Sequence, residues 1–250
     1  MMVEKGLVVS RSLAQRMVMA GQVRVDGELV LKSSSNFHPG AQITLDRGPR
    51  YVSRGGDKLA AALDAFDLSI NEKTCADVGS STGGFTDCLL QHGARLVFAI
   101  DVGKGILHWK MRKRRDVVVM EQTNARYVED LPEPIHLITI DASFISLRTL
   151  LPVVINWFPG NGDVIALIKP QFEAGRKEVS RGNGVIRDAD VHRSVVEQIL
   201  HFSQELGFAV KGLIRSPLVG PKGNVEFLVW LEYPGKSIDV NEMIQAVMLE

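Results

Sequence analysis

The sequence predicts an α/β protein in two parts, a small α+β unit followed by an open, doubly wound sheet. Three observations carry that expectation. From residue 57 onward, short β-branched runs alternate with helical patterns, as they do where crossover helices link parallel strands. The runs are continuously apolar, as strands buried on both faces are. One of them, Thr74-Cys-Ala-Asp-Val78, opens into a loop carrying Gly79, Gly83 and Gly84, then into an amphipathic pattern with Phe85, Leu89 and Leu90.

A chain of 250 residues with 45% hydrophobic content suffices for one large core or a large and a small one. Its 29 Lys and Arg balance its 29 Asp and Glu, so contact with a polyanion has to come from local patches. Cys75 and Cys88 lack zinc-ligand spacing and read as reduced structural thiols. His108, His136 and His192 likewise show no metal-ligand spacing, so no metal is expected. No apolar run approaches the ~18 residues of a spanning helix, and Met-Met-Val-Glu-Lys at the start lacks a signal-peptide core. The expectation is a cytoplasmic protein with no membrane role.

Residues 9–20 open with a capping serine and place Leu13, Met17 and Ala20 on one face before Gly21, which predicts a short helix with Arg11 and Arg16 off its buried side. Gln22 to Val30 alternates around Asp26-Gly27, a strong hairpin signal. A third strand, Ala41 to Asp46, follows Pro39-Gly40. This helix, hairpin and strand resemble the RNA-binding module named after ribosomal protein S4. Arg11, Arg16, Arg24 and Lys32 are its candidate RNA contacts, with an ordinary solvated basic face as the alternative.

The Gly-rich, basic stretch 47–56 lies between patterned segments, so the expected organisation is a module over 1–47, a connection over 48–56 and a large domain over 57–250. A helix from Asp57 to Leu68 carries Leu59, Leu63 and Phe66 at core spacing. Lys58 in its first turn is electrostatically misplaced, since that end of a helix prefers negative charge.

Three residues separate Gly79 from Gly83, so the loop is not the dinucleotide fingerprint. Asp77, just ahead of the first glycine, suits a ligand's ammonium group. Asp101 ends the next strand, Leu96 to Asp101, about 20 residues on, where an acid typically holds a ribose diol. An ammonium and a ribose together suggest S-adenosylmethionine; a glycine turn with no ligand is the alternative.

Beyond it, Lys110, Arg112, Lys113, Arg114 and Arg115 form the densest basic run, a candidate phosphate-contact surface or an exposed helix end. Strands follow at Asp116–Met120, Ile135–Asp141 and Asp163–Lys169. Asp141 and Lys169 therefore fall at strand carboxyl ends, where doubly wound sheets bind ligands. Residues 173–187 mix glycines and cations without periodicity, reading as a loop that closes over substrate or as a plain connection. A helix from Asp188 to about Leu206, β segments at 208–216 and 225–232, and a last helix from Val240 complete the chain.

Lys58, Asp141, Lys169 and Glu226 form a Lys-Asp-Lys-Glu set that could converge at one sheet edge. With Asp77-Val-Gly-Ser-Ser-Thr-Gly-Gly-Phe85, this set resembles the FtsJ-type ribose methyltransferases. Joined to the N-terminal module, Val52-Ser-Arg-Gly-Gly56 and Lys169-Pro-Gln-Phe-Glu173, the chain resembles the TlyA family along its full length. The resemblance implies a Rossmann-like doubly wound methyltransferase sheet preceded by a small α+β S4-like RNA-binding domain. It also implies 2′-O-methylation of a ribosomal RNA cytidine, with ribosomal RNA or a ribosomal subunit as partner. The haemolysin label that family also carries is set aside, because the sequence offers no membrane-active stretch.

By position, the resemblance assigns Asp77, Gly79, Ser80, Ser81, Thr82, Gly83, Gly84 and Phe85 to the methionine part of S-adenosylmethionine. Asp101 takes its ribose, and Thr123 and Asn124 its adenine side, with Val102 also among the cofactor-binding residues, while Asp141 adjoins both cofactor and catalysis. Lys169 is then the base, oriented by Asp141, with Lys58 and Glu226 positioning the substrate ribose. A neighbouring Asp favours protonated lysine, so the alternative is that Lys169 stabilises a developing alkoxide while water takes the proton. Arg112, Lys113, Arg114 and Arg115 join the RNA contacts. The competing functions are a non-catalytic RNA-binding protein on the same scaffold and a nicotinamide dehydrogenase, which the glycine spacing opposes.

Overall fold

The computed structural model describes residues 1–250 except 47, 176, 177, 180, 181, 221 and 250. Arg47 at the end of the expected first module, Arg176, Lys177, Ser180 and Arg181 of the 173–187 segment expected as a closing loop or a plain connection, and Pro221 thus lie outside the described residues. The chain divides into two compact units, Met1–Arg50 and Tyr51–Glu250. Tyr51 is buried in the second unit, and its first helix already begins at Gly55. Much of the expected 48–56 connection therefore belongs to the second unit.

In the first unit, Ser10 caps α1 (Arg11–Met19) by accepting from the Leu13 N–H at 3.2 Å. Met17 and Val18 are the buried residues of α1; Ala20, expected on the buried side, is exposed. Asp26 and Gly27 both take positive φ, as a tight hairpin turn between twisted strands requires. They join β1 (Val23–Val25) to β2 (Glu28–Leu29), and β3 (Ile43–Leu45) pairs antiparallel on the other side of β1.

The second unit is a seven-stranded sheet. Its strands are β4 (Thr74–Val78), β5 (Leu96–Ile100), β6 (Val117–Met120), β7 (Leu137–Ile140), β8 (Gly162–Ile168), β9 (Ala209–Arg215) and β10 (Phe227–Tyr233), in the order β6-β5-β4-β7-β8-β10-β9. β4 to β8 pair in parallel, whereas β10 runs antiparallel to both β8 and β9 and is the one reversed strand among those described in this sheet. Side chains alternate between two cores. Cys75, Val97 and Leu137 join one with α2 (Gly55–Phe66) and α3 (Gly84–Gln91). Ala76, Phe98 and Ile138 join the other with α5 (Leu147–Val154), α7 (Ala189–Glu205) and α8 (Asn241–Leu249). Burial on both faces explains why the strands read as unbroken apolar runs.

The topology fixes where a ligand can go. The chain runs outward from β4 through β5 to β6, then returns to the other side of β4 with β7 and β8. That reversal leaves a crevice beyond the carboxyl ends of β4 and β7, and Gly79 and Asp141 are the residues there. Because β10 is antiparallel, its beginning lies at the end of β8: Phe227 pairs with Ile168, so Glu226 and Lys169 emerge side by side. The short helices α4 (Trp109–Arg112) and α6 (Pro170–Glu173) follow β5 and β8.

Candidate active site

Two cavities meet at the crevice. The larger, about 500 Å³, is lined by Gly79, Ser81, Asp101, Val102, Thr123, Asn124 and Asp141, together with Ile106, Phe144 and Leu150. The smaller, about 250 Å³, is lined by Ser53, Arg54, Lys58, Gly79 to Thr82, Gly84, Phe85 and Asp141. Gly79, Ser81 and Asp141 wall both, so a group held in one lies next to a group held in the other.

The glycines of the loop make room mainly for the protein itself. Gly79 has φ +83°, and a Cβ there would lie 2.8 Å from the Asp141 carbonyl oxygen. Gly83, at φ +93°, packs against Leu107 and Met111, and a Cβ on Gly84 would meet Ser53 Oγ at 2.3 Å. These glycines thus seat α2, α4 and the end of β7 against the loop, while Gly83 lines neither cavity.

Asp77 is placed differently from its sequence expectation. It is fully buried, with Thr86 Oγ1 donating to one carboxylate oxygen at 2.6 Å and Thr139 Oγ1 to the other at 3.0 Å. It lines neither cavity and acts as a brace under the loop. Burial pushes its carboxyl up to about 7, against the lowering effect of both hydroxyls and with a smaller upward push from the Asp141 charge. Asp101 does face the larger cavity. Its oxygens accept from the N–H groups of Ser81 at 2.8 Å and Gly103 at 2.7 Å, and lone pairs remain for ligand hydroxyls.

The four separated residues resolve into two ion pairs. Lys58 Nζ lies 2.5 Å from Glu226 Oε2, with side chains 12% and 2% exposed. Lys169 Nζ lies 2.5 Å from Asp141 Oδ1, and also donates to the backbone oxygens of Asp141 at 3.3 Å and Ala142 at 3.1 Å and to Ser143 Oγ at 3.5 Å. Lys58 and Asp141 reach the smaller cavity, while Lys169 and Glu226 are buried beside them.

Several contributors escaped sequence reasoning. Gln171 Nε2 donates to Glu226 Oε1 at 3.1 Å, and Glu173 accepts from Ser146 Oγ at 2.5 Å and from the Leu147 N–H at 2.7 Å, holding the start of α5. Glu121 accepts from the N–H groups of Gly105, Ile106 and Leu107 and from Arg112. Those bonds hold its carboxyl down to about 2, the Arg112 guanidinium having the largest effect. Glu173 lies within the quoted Lys169–Glu173 block; nothing in the pattern around Glu121 marked it.

The basic candidates separate likewise. Arg112 is tied to Glu121 and the Leu107 carbonyl, and Arg114 grips Asp116 with bonds of 2.7 and 2.6 Å. Lys113 and Arg115 are exposed. In the first unit, Arg11 and Lys32 line one groove of about 450 Å³; Arg16 and Arg24 are exposed, with Arg24 donating to the Gly27 carbonyl at 3.3 Å.

The sequence model of the FtsJ-like methyltransferase family matches residues 51–233, and that of the S4 domain matches residues 1–43. A Bacillus subtilis protein provisionally named an rRNA methyltransferase is 44% identical over 250 residues, covering 97% of this chain and 88% of its own. A Mycobacterium tuberculosis protein named 16S/23S rRNA (cytidine-2′-O)-methyltransferase TlyA is 41% identical over 234 residues, covering 92% and 87%. A solved structure from Streptococcus thermophilus, provisionally named a hemolysin, matches with a TM-score of 0.78 at 44% identity, over 97% of this chain and 90% of that one. The chain therefore belongs to the FtsJ-like methyltransferases, in the TlyA group, with an S4 domain ahead of the methyltransferase domain.

Proposed function

We propose that the protein transfers a methyl group from S-adenosylmethionine to the 2′-hydroxyl of a cytidine in ribosomal RNA, free or within a ribosomal subunit, in the cytoplasm. The observation that carries this reading is the shared wall of the two cavities, with Asp141 facing both and Lys169 anchored on it. The site fits the cofactor: the larger cavity falls within the range of small-molecule sites, and Asp101 offers acceptors for a ribose diol. Ser80 Oγ is buried in the wall of the smaller cavity without a hydrogen-bond partner among the described residues, a donor and acceptor for a polar ligand.

When bound, S-adenosylmethionine supplies an electrophilic methyl whose bond to sulfur breaks as the bond to the ribose oxygen forms. The chain's own residues hold and polarise. Thr123 and Asn124 would flank the adenine side, Asp101 would hold the diol, and the residues of the 79–85 loop that face the cavities would receive the methionine part. Lys58, fixed by Glu226, orients the acceptor ribose. Among the described residues, the polar atoms around Lys169 Nζ can all accept its N–H groups, which favours a role as hydrogen-bond donor over one as base. The lysine's charge stabilises the developing alkoxide and water takes the proton. Alignment supplies most of the acceleration, since the methyl is already activated.

Mapping ribose methylation in ribosomal RNA from cells with and without the protein tests the proposal. One or more 2′-O-methylcytidines disappear in its absence and return on incubation with the protein and S-adenosylmethionine. Identical maps with and without it defeat the reading.

A further inference from the structure

Trp109 has a setting that the transfer site does not use. It is 59% exposed, whereas Trp157 is buried, and exposing an indole forfeits the burial that large aromatics normally gain. Its companions are polar: Lys113 Nζ sits 5.2 Å from its ring centroid and the His108 ring 5.7 Å away. Lys110 and Arg115, one and six positions further along the chain, are exposed with no acidic partner among the described residues, whereas Arg112 and Arg114 are held by Glu121 and Asp116. An apolar protein partner would favour apolar surroundings; an indole among unpaired cations matches a polyanion that carries flat π faces.

The segment that carries the patch is also tied to the glycine loop beside the cavities. The His108 N–H donates to the Thr82 carbonyl at 3.1 Å, Leu107 and Met111 pack under Gly83, and Ile106 lines the larger cavity. A ligand resting on Trp109 is therefore held at a fixed place relative to the glycine loop.

We propose that Trp109, flanked by His108 and Lys113, is a platform on which one unpaired base of the RNA substrate stacks, outside the cavities that hold the reacting groups. The proposal rests on RNA being the substrate, and deepens that reading by assigning a nucleotide subsite. Lys113 and Lys110 hold the phosphates on either side, and stacking on a π face makes the subsite tolerant of base identity.

Binding of a single-stranded oligocytidine RNA of about 12 nucleotides tests it without requiring catalysis, so failure of the platform is distinguishable from failure of the methyl-transfer reading. Wild-type protein binds with quenching of indole fluorescence. Trp109→Ala weakens binding about ten-fold, with S-adenosylmethionine affinity and melting temperature unchanged. Trp109→Phe keeps most of the affinity but loses the quenching. Wild-type affinity in Trp109→Ala overturns the proposal, as does an equal loss of S-adenosylmethionine affinity, which would make Trp109 part of the cofactor scaffold.

Discussion

Lys58 and Glu226 stand 168 positions apart in the chain and meet at 2.5 Å. One oxygen of Glu226 is taken by that lysine and the other by Gln171, so its charge is fully committed within a buried cluster. Removing one member of such a pair strands the other in low dielectric, a loss of about 3–5 kcal/mol. Glu226→Ala is therefore expected to lower unfolding stability by about that amount, read from urea denaturation. Lys58→Met combined with Glu226→Leu recovers most of the loss while remaining inactive. A double variant no more stable than Glu226→Ala would show that the pair contributes no buried charge.

Lys169→Ala is expected to abolish methyl transfer while S-adenosylmethionine affinity stays near wild type, because the lysine lines neither of the two cavities. A loss of at least about a hundred-fold in kcat is the scale for removing an oxyanion-stabilising donor. Single-turnover transfer and calorimetric binding read the two effects separately. Comparable turnover removes Lys169 from the chemistry.

Asp77 makes a pH-dependent prediction. Its folded carboxyl is raised from 3.8 to about 7, so the native state keeps a proton that the unfolded chain has released. The stability this proton confers is full below the unfolded value and is lost as pH rises towards about 7. Asp77→Asn, a neutral side chain of the same shape, does not titrate. Its melting temperature relative to wild type should rise between about pH 5 and about pH 8. A difference that stays constant over that interval contradicts the buried, protonated carboxyl.

Glu121 works in the opposite direction. Its carboxyl is lowered from 4.5 to about 2, so its support for the 103–107 loop is full above the unfolded value and is lost as pH falls through about 2. Glu121→Ala leaves the N–H groups of Gly105, Ile106 and Leu107 without their carboxylate at neutral pH. S-adenosylmethionine affinity is expected to fall about ten-fold, the scale of charge-assisted hydrogen bonds, through loosening of Ile106 at the larger cavity. Unchanged affinity by calorimetry would mean that the loop holds its shape without Glu121.

The chain's local patterns determined much of this molecule. Continuous apolar runs marked strands buried on both faces, Asp26-Gly27 marked the hairpin, Ser10 marked a helix start, and Gly79, Gly83 and Gly84 marked the turn from β4 into α3, because turn chemistry, capping and periodicity depend on near neighbours. Tertiary structure decided what those residues touch. Only the antiparallel insertion of β10 beside β8 brings Glu226 next to Lys169, and only packing shows Asp77 sealed beneath the loop and Gly79 making way for the Asp141 carbonyl. The cations of 110–115 look alike in sequence; Glu121 and Asp116 reserve two of them and leave Lys110, Lys113 and Arg115 facing solvent with Trp109. Burial and ion pairing depend on partners distant along the chain, whereas local pattern records only the propensity of each segment.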